Sequence, residues 1–182
     1  MKLRLILLTS LCGIATMFLS FTGAMEIHPE YQALFGGLYA LLIALSITPL
    51  SVKVPQKIIF VALSYIVYYT AILLKGHIEA RMIHDEVPMS SPFSASFYPP
   101  LISGLYGVLL FLPMFHFLIN KLKNLTLSIC LGFVVALLAV APVLTHSIGL
   151  NLFVFERIVV LFIWQTGIGI IIALGIKKPT IS

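Results

Sequence analysis

Six apolar blocks of roughly 20 residues, parted by short polar connections, leave this chain few folds to choose from. A helix of that length crosses the ~30 Å hydrocarbon core of a bilayer, whereas the strands of an outer-membrane barrel would show alternating segments of about ten residues. Placed by hydropathy, the spans fall at residues 3–24, 31–50, 58–74, 98–120, 125–145 and 158–176, with Pro29, Pro49, Pro55, Pro88, Pro92, Pro99 and Pro100 marking the turns around them. With 60% hydrophobic and 9% charged residues and a mean hydropathy of +1.13, the chain has too little polar surface to clothe a water-soluble globule. The expected fold is all-α: a polytopic membrane protein whose six transmembrane helices form one bundle, residues 1–182 being a single domain.

The formal net charge of +5 is not a nucleic-acid footprint, because the Lys and Arg residues stand in ones and twos beside apolar blocks and form no stripe. They report topology instead, and the bilayer is the expected partner. With the amino terminus in the cytoplasm, alternation places Lys2, Arg4, Lys53, Lys57, Lys121, Lys123, Lys177 and Lys178 inside and only Lys75, Arg81 and Arg157 outside. Both termini are therefore expected in the cytoplasm, and the protein in a bacterial-type plasma (inner) membrane. The carboxylates, which played no part in that assignment, then all fall outside: Glu26, Glu30, Glu79, Asp85, Glu86 and Glu156. His28, His77, His84 and His146 join them, while His116 lies near the inner end of the fourth span.

The start of the chain also has the form of a secretory signal, with Lys2 and Arg4 before an apolar run that ends in Thr22, Gly23 and Ala24. The run is longer than the usual signal core, so a retained first helix is expected; cleavage would leave five spans and a new amino terminus near Met25. The largest outer connection, residues 75–97, contains HIEARMIHDE at 77–86. At about 3.6 residues per turn His77, Arg81 and His84 share one face, with Glu79 and Glu86 on another, until Pro88 stops the turn.

Imidazole and carboxylate are the groups a divalent transition metal binds, which makes His28, His77, His84, Glu79 and Glu86 candidate ligands at the outer face. No HExxH, HxH or His-rich tract supports such a site, and solvated loop residues are the commoner role of these types. Arg157 beside Glu156, at the outer start of the sixth helix, has the chemistry to clamp a carboxylate or phosphate, or simply to anchor the helix by snorkelling. Tyr39, Tyr69, Tyr106 and Trp164 bring polar groups to middle or outer depth, where they are candidates to line a pocket opening outward; an aromatic belt is the plainer account. Gly36, Ala40 and Ala44 on the second helix, and Gly169 and Ala173 on the sixth, form smooth grooves for packing within the chain or against other membrane subunits.

These residues favour a transport component or outward-facing solute-binding subunit. A membrane-complex assembly or scaffold subunit stays open, as does a membrane-embedded hydrolase or transferase at the outer face. An enzyme is the less favoured class, since no Ser-His-Asp spacing or Gly-x-Ser-x-Gly turn is present. Six helices in 182 residues with an outward pocket resembles, in size and helix count, the substrate-binding subunits of energy-coupling-factor vitamin and metal importers. Toward the alanine-rich coupling surface those subunits tend to show on their first helix, this chain offers Gly13 and Ala15. A transport component should direct Tyr39, Tyr69, Tyr106 and Trp164 into an outward cavity; a scaffold should have a closed interior and an exposed small-residue groove.

Overall fold

Apolar helix-forming blocks joined by short connections pack most simply against their neighbours in sequence, each running antiparallel to the last. The computed structural model describes residues 2–21, 29–47, 52–84, 97–145 and 153–176. Six helices follow one another in it: α1 (Lys2–Phe21), α2 (Pro29–Ser46), α3 (Val54–His84), α4 (Tyr98–Leu118), α5 (Leu125–Thr145) and α6 (Phe153–Gly175). Among the described residues the only β-type pairing is an isolated bridge between Leu122 and Ile176. Each helix packs on the next, and α6 returns to α1, so the six form a closed ring. The register is antiparallel throughout: Gly36 and Gly37 of α2 meet Tyr68 and Tyr65 of α3, Thr70 of α3 meets Tyr106 of α4, Val108 of α4 meets Gly132 of α5, Val135 of α5 meets Gly167 of α6, and Gly169 of α6 meets Thr9 of α1.

This alternation gathers Lys2, Arg4, Lys53, Lys57, Lys121 and Lys123 at one end of the ring, hereafter the lysine end. There the Lys123 N–H donates to Gly175 O at 2.7 Å, tying the α4–α5 turn to the last residue of α6. Leu122 N–H donates to His116 Nδ1 at 3.0 Å, and Asn124 Oδ1 caps α5 by accepting from Leu127 N–H at 3.0 Å. At the opposite end, the carboxylate end, Glu30 opens α2, Glu79 lies in the last two turns of α3, and Glu156 falls in the first turn of α6. Pro99 and Pro100 begin α4, where a missing backbone donor costs nothing, and Pro113 sits within the same continuous helix.

The third helix departs from expectation. It continues ten residues beyond the expected end at 74, about 15 Å at 1.5 Å per residue, so the first part of the 75–97 connection is helix and not loop. The reason is local: from 77 to 84 there is no Gly or Pro, Lys75 Nζ pairs with Glu79 Oε1 at 3.5 Å one turn on, and Arg81 and His84 suit the negative end of the helix dipole.

Two helical stretches, Val54–Met82 and Tyr98–Leu118, are long and apolar enough by length and composition to cross a membrane; Ala33–Ser46, Leu125–Ala141 and Val159–Gly175 are apolar but shorter. The buried core is largely apolar, and so is much of the outer surface. Leu3, Leu7, Leu11 and Phe18 of α1, Leu34 and Leu38 of α2, and Leu131 and Leu138 of α5 face outward, while Thr9, Thr16, Ser64, Ser128 and Gln165 are buried. The buried hydroxyls return to their own helices: Thr9 donates to Leu5 O at 3.0 Å, Thr16 to Cys12 O at 2.7 Å, Ser64 to Phe60 O at 2.7 Å and Ser128 to Asn124 O at 2.9 Å.

The helices close on one another through glycines. A Cβ on Gly169 would collide with Thr9, and one on Gly36 with the Tyr68 ring, whereas one on Gly76 in the α3 extension would meet nothing within 4 Å. Gly169→Ala is therefore expected to destabilise the protein by about 1–3 kcal/mol through overpacking. Gly76→Ala, which only removes helix-breaking freedom, should be neutral or stabilising by up to about 1 kcal/mol. Unfolding of the two variants in detergent, each compared with the parent, measures the contrast.

Candidate functional site

Gln165 is the most polar side chain in the middle of the ring, and it is 0% exposed. An amide at that depth carries two donors and a two-lone-pair acceptor that water cannot reach, so the surrounding helices must supply partners. They do so from three directions. Thr16 Oγ1 of α1 lies 3.4 Å from Gln165 Oε1, Gln165 Nε2 donates to Tyr68 Oη of α3 at 3.4 Å, and Tyr39 Oη of α2 donates to the backbone oxygen of Gln165 at 2.6 Å. One residue of α6 thus joins four helices of the ring.

The aromatic rings sort by depth around this layer. Toward the lysine end Phe60, Phe111 and Phe115 are fully buried and pack on one another, with centroids 5.4 Å apart for Phe60–Phe111 and 6.1 Å for Phe60–Phe115. Trp164 bridges them to the polar layer, 6.3 Å from Phe111, 6.3 Å from Tyr39 and edge-on to Tyr68 at 5.6 Å. Its indole lies over Gly104 and Gly107 of α4, where an added Cβ would fall 3.8 Å from Nε1 and 3.2 Å from Cζ2. Trp164 Nε1 is buried and finds no acceptor among the described residues, and neither does the buried Thr166 Oγ1 find a partner. A buried donor left unpaired costs about 1–3 kcal/mol, so these two atoms mark where the packing of polar groups is incomplete. Nearer the carboxylate end the hydroxyls of Thr70 and Tyr106 lie 3.0 Å apart, and Tyr69 stacks on Tyr65 of its own helix at 6.3 Å.

Of the four residues expected to line an outward pocket, then, Tyr39 and Trp164 come together at the centre, packed ring against ring. Tyr106 pairs with Thr70, and Tyr69 stands apart from the central pair. Glu156 and Arg157 fall in the first two turns of α6, and their side chains lie outside the described residues. The expected metal ligands are not drawn together where they are described. His77 and His84 are both exposed on the α3 extension, about 10 Å apart along its axis, and Glu79 is engaged by Lys75. His28 and Glu86 lie outside the described residues, and among those described no group of three His, Cys, Asp or Glu side chains converges.

The small-residue faces are occupied within the chain. Ala40, Ala44 and Ala173 are buried, Gly36 is covered by Tyr68, Gly169 by Thr9, and Gly13 by Phe162 across the α1–α6 seam. The grooves that might have received another subunit are filled by the ring itself. Thr16 and Thr70 enter the polar layer although no feature of the sequence singles them out, since one hydroxyl in an apolar helix resembles any other; Tyr68 is visible in the sequence as a tyrosine at middle depth. Gln165 carried a signal of its own: an uncharged amide in the middle of a span is costly enough to imply partners. No protein-family model, curated protein or solved structure matches the chain.

Three substitutions probe the polar layer. Tyr39→Phe removes the 2.6 Å bond and strands the carbonyl of Gln165 only partly, so a loss of about 1 kcal/mol is expected. Gln165→Leu and Tyr68→Phe should each destabilise, and combined they should cost less than their sum by about 0.5–1.5 kcal/mol, the coupling of a buried interhelical bond. A double-mutant cycle in detergent unfolding reads that coupling, and strict additivity would dissolve the proposed contact.

Proposed function

We propose that this chain is a six-span membrane protein with both termini in the cytoplasm, lying in a bacterial-type plasma membrane, and that it works as a transport component that binds a small solute from the outer side. The six-span reading is supported by large apolar side chains exposed on every helix of the ring, from Leu3 of α1 to Leu174 of α6, together with the inward burial of Thr16 and Gln165. Orientation is supported by the sequence bias of Lys and Arg, eight against three, toward one end, with the Asp and Glu positions of the sequence falling at the other.

The observation that carries the solute-binding reading is the asymmetry of the interior. The half toward the lysine end is plugged by Phe60, Phe111 and Phe115, while the hydroxyls of Tyr39, Tyr68, Thr70 and Tyr106 and the unpartnered Trp164 Nε1 lie at the middle and toward the other end. A solute or water entering from the carboxylate end would meet hydrogen-bonding groups first and an aromatic floor last. The assembly-subunit reading draws its support from the tight contacts at Tyr39 and Trp164, which leave the centre of the ring closed.

Trp164 is the one tryptophan of the chain, so its emission reports the floor directly. In proteoliposomes, access from water predicts an indole quenched by added acrylamide. Emission that stays at the apolar limit and is untouched by the quencher contradicts solute access and favours the assembly reading.

A further inference from the structure

At the lysine end, the first turn of α3 and the α4–α5 turn enclose a recess of about 280 Å³, lined by Val52, Gln56, His116, Phe117, Leu118, Ile119, Asn120 and Lys121. Its lining is divided by chemistry. Gln56, His116, Asn120 and Lys121 offer donors, and beside them Phe117 projects 74% exposed from the apolar surface of α4. His116 is held in a fixed state: its Nδ1 accepts the Leu122 N–H, so in the neutral ring the proton is on Nε2, which has no partner among the described residues. Beyond the lining itself, Lys53 and Lys57 stand near Gln56 in sequence, and Lys123 follows Lys121 at two residues' distance. Among the described residues Glu30 and Glu79 lie at the other end of the ring, and no carboxylate pairs with these four lysines.

From this we infer that the recess binds the phosphate of an anionic phospholipid headgroup, with the lipid's acyl chains lying along Phe117 and Leu118. The phosphate would be held by Lys121 and the His116 Nε2–H, with Asn120 and Gln56 as neutral donors. A headgroup and not a soluble anion is favoured because the polar and apolar walls adjoin, as they must where a lipid crosses from headgroup to hydrocarbon. Basic pockets between helices on the cytoplasmic side are established sites of headgroup binding. The inference rests on the membrane reading given above, though not on solute transport.

Native mass spectrometry of the purified protein, titrated with phosphatidylglycerol or phosphatidylcholine, tests it. Phosphatidylglycerol should be retained in preference to phosphatidylcholine. Lys121 is exposed, so Lys121→Gln leaves the fold intact and should weaken phosphatidylglycerol retention by about fivefold. Lys2→Gln, a cation of the same end but outside the recess, should change it by less than about twofold. Equal retention of the two lipids, or equal effects of the two substitutions, overturns the site. So does full displacement by millimolar inorganic phosphate, which would assign the recess to a soluble anion. Failure of the protein to enter nanodiscs at all would instead count against the membrane reading, and is distinguishable because it appears before any lipid is compared.

Discussion

A polar side chain shut away from water must be answered by another, and in this ring that requirement falls hardest on Gln165. Its amide and carbonyl draw on Thr16, Tyr68 and Tyr39, one from each of three other helices. The first helix and the last are thereby fixed in rotation against each other, and α2 and α3 are fixed against α6. Hydrophobic burial alone would not set those rotations, because the outward faces of the helices are as apolar as the inward ones. Within a bilayer, apolar surface gains little by turning inward, which leaves close packing and hydrogen bonds to choose the arrangement. Glycine does the first at Gly36 and Gly169, and the Gln165 layer does the second.

The two ends of the ring perform different work. At the lysine end the chain ties itself together, with the His116–Leu122 bond, the Lys123–Gly175 bond and the Asn124 cap all within one turn-rich corner. The aromatic plug of Phe60, Phe111 and Phe115 sits directly above that corner. Toward the carboxylate end α3 reaches beyond its apolar portion as a bare helical stalk bearing His77, Arg81 and His84, and hydroxyls replace phenyl rings along the inner wall. Packed phenyl rings toward one end and hydroxyls toward the other give the ring a direction, and the proposed function uses it.

Much of the fold was legible in the sequence because hydrophobic length is a local property. Each of the six blocks became a helix within a few residues of its expected bounds, and the antiparallel order followed from short connections. The exception, α3, was misjudged in length because hydropathy ends at Leu74 while helix propensity does not. The candidate site was much less legible. Tyr39 and Trp164 were visible as aromatic residues at the right depth, but their meeting depends on helix rotation, which hydropathy does not encode. Thr16 was hidden because its value comes from a partner 149 residues away. His77, His84 and Glu79, conspicuous by contrast with their apolar surroundings, lie along the α3 extension, with Glu79 paired to Lys75.

The proposed function presupposes a bundle held across a bilayer with its lysines on the cytoplasmic side. Labelling of single cysteines with a membrane-impermeant maleimide tests this most directly, using a background in which Cys12 and Cys130 are replaced by Ala and intact spheroplasts as the vessel. His77→Cys on the α3 stalk should react at once, and Lys123→Cys in the α4–α5 turn only after permeabilisation. Reaction of Lys123→Cys in the intact vessel with His77→Cys protected would invert the topology, and reaction of both would remove the bilayer from between them.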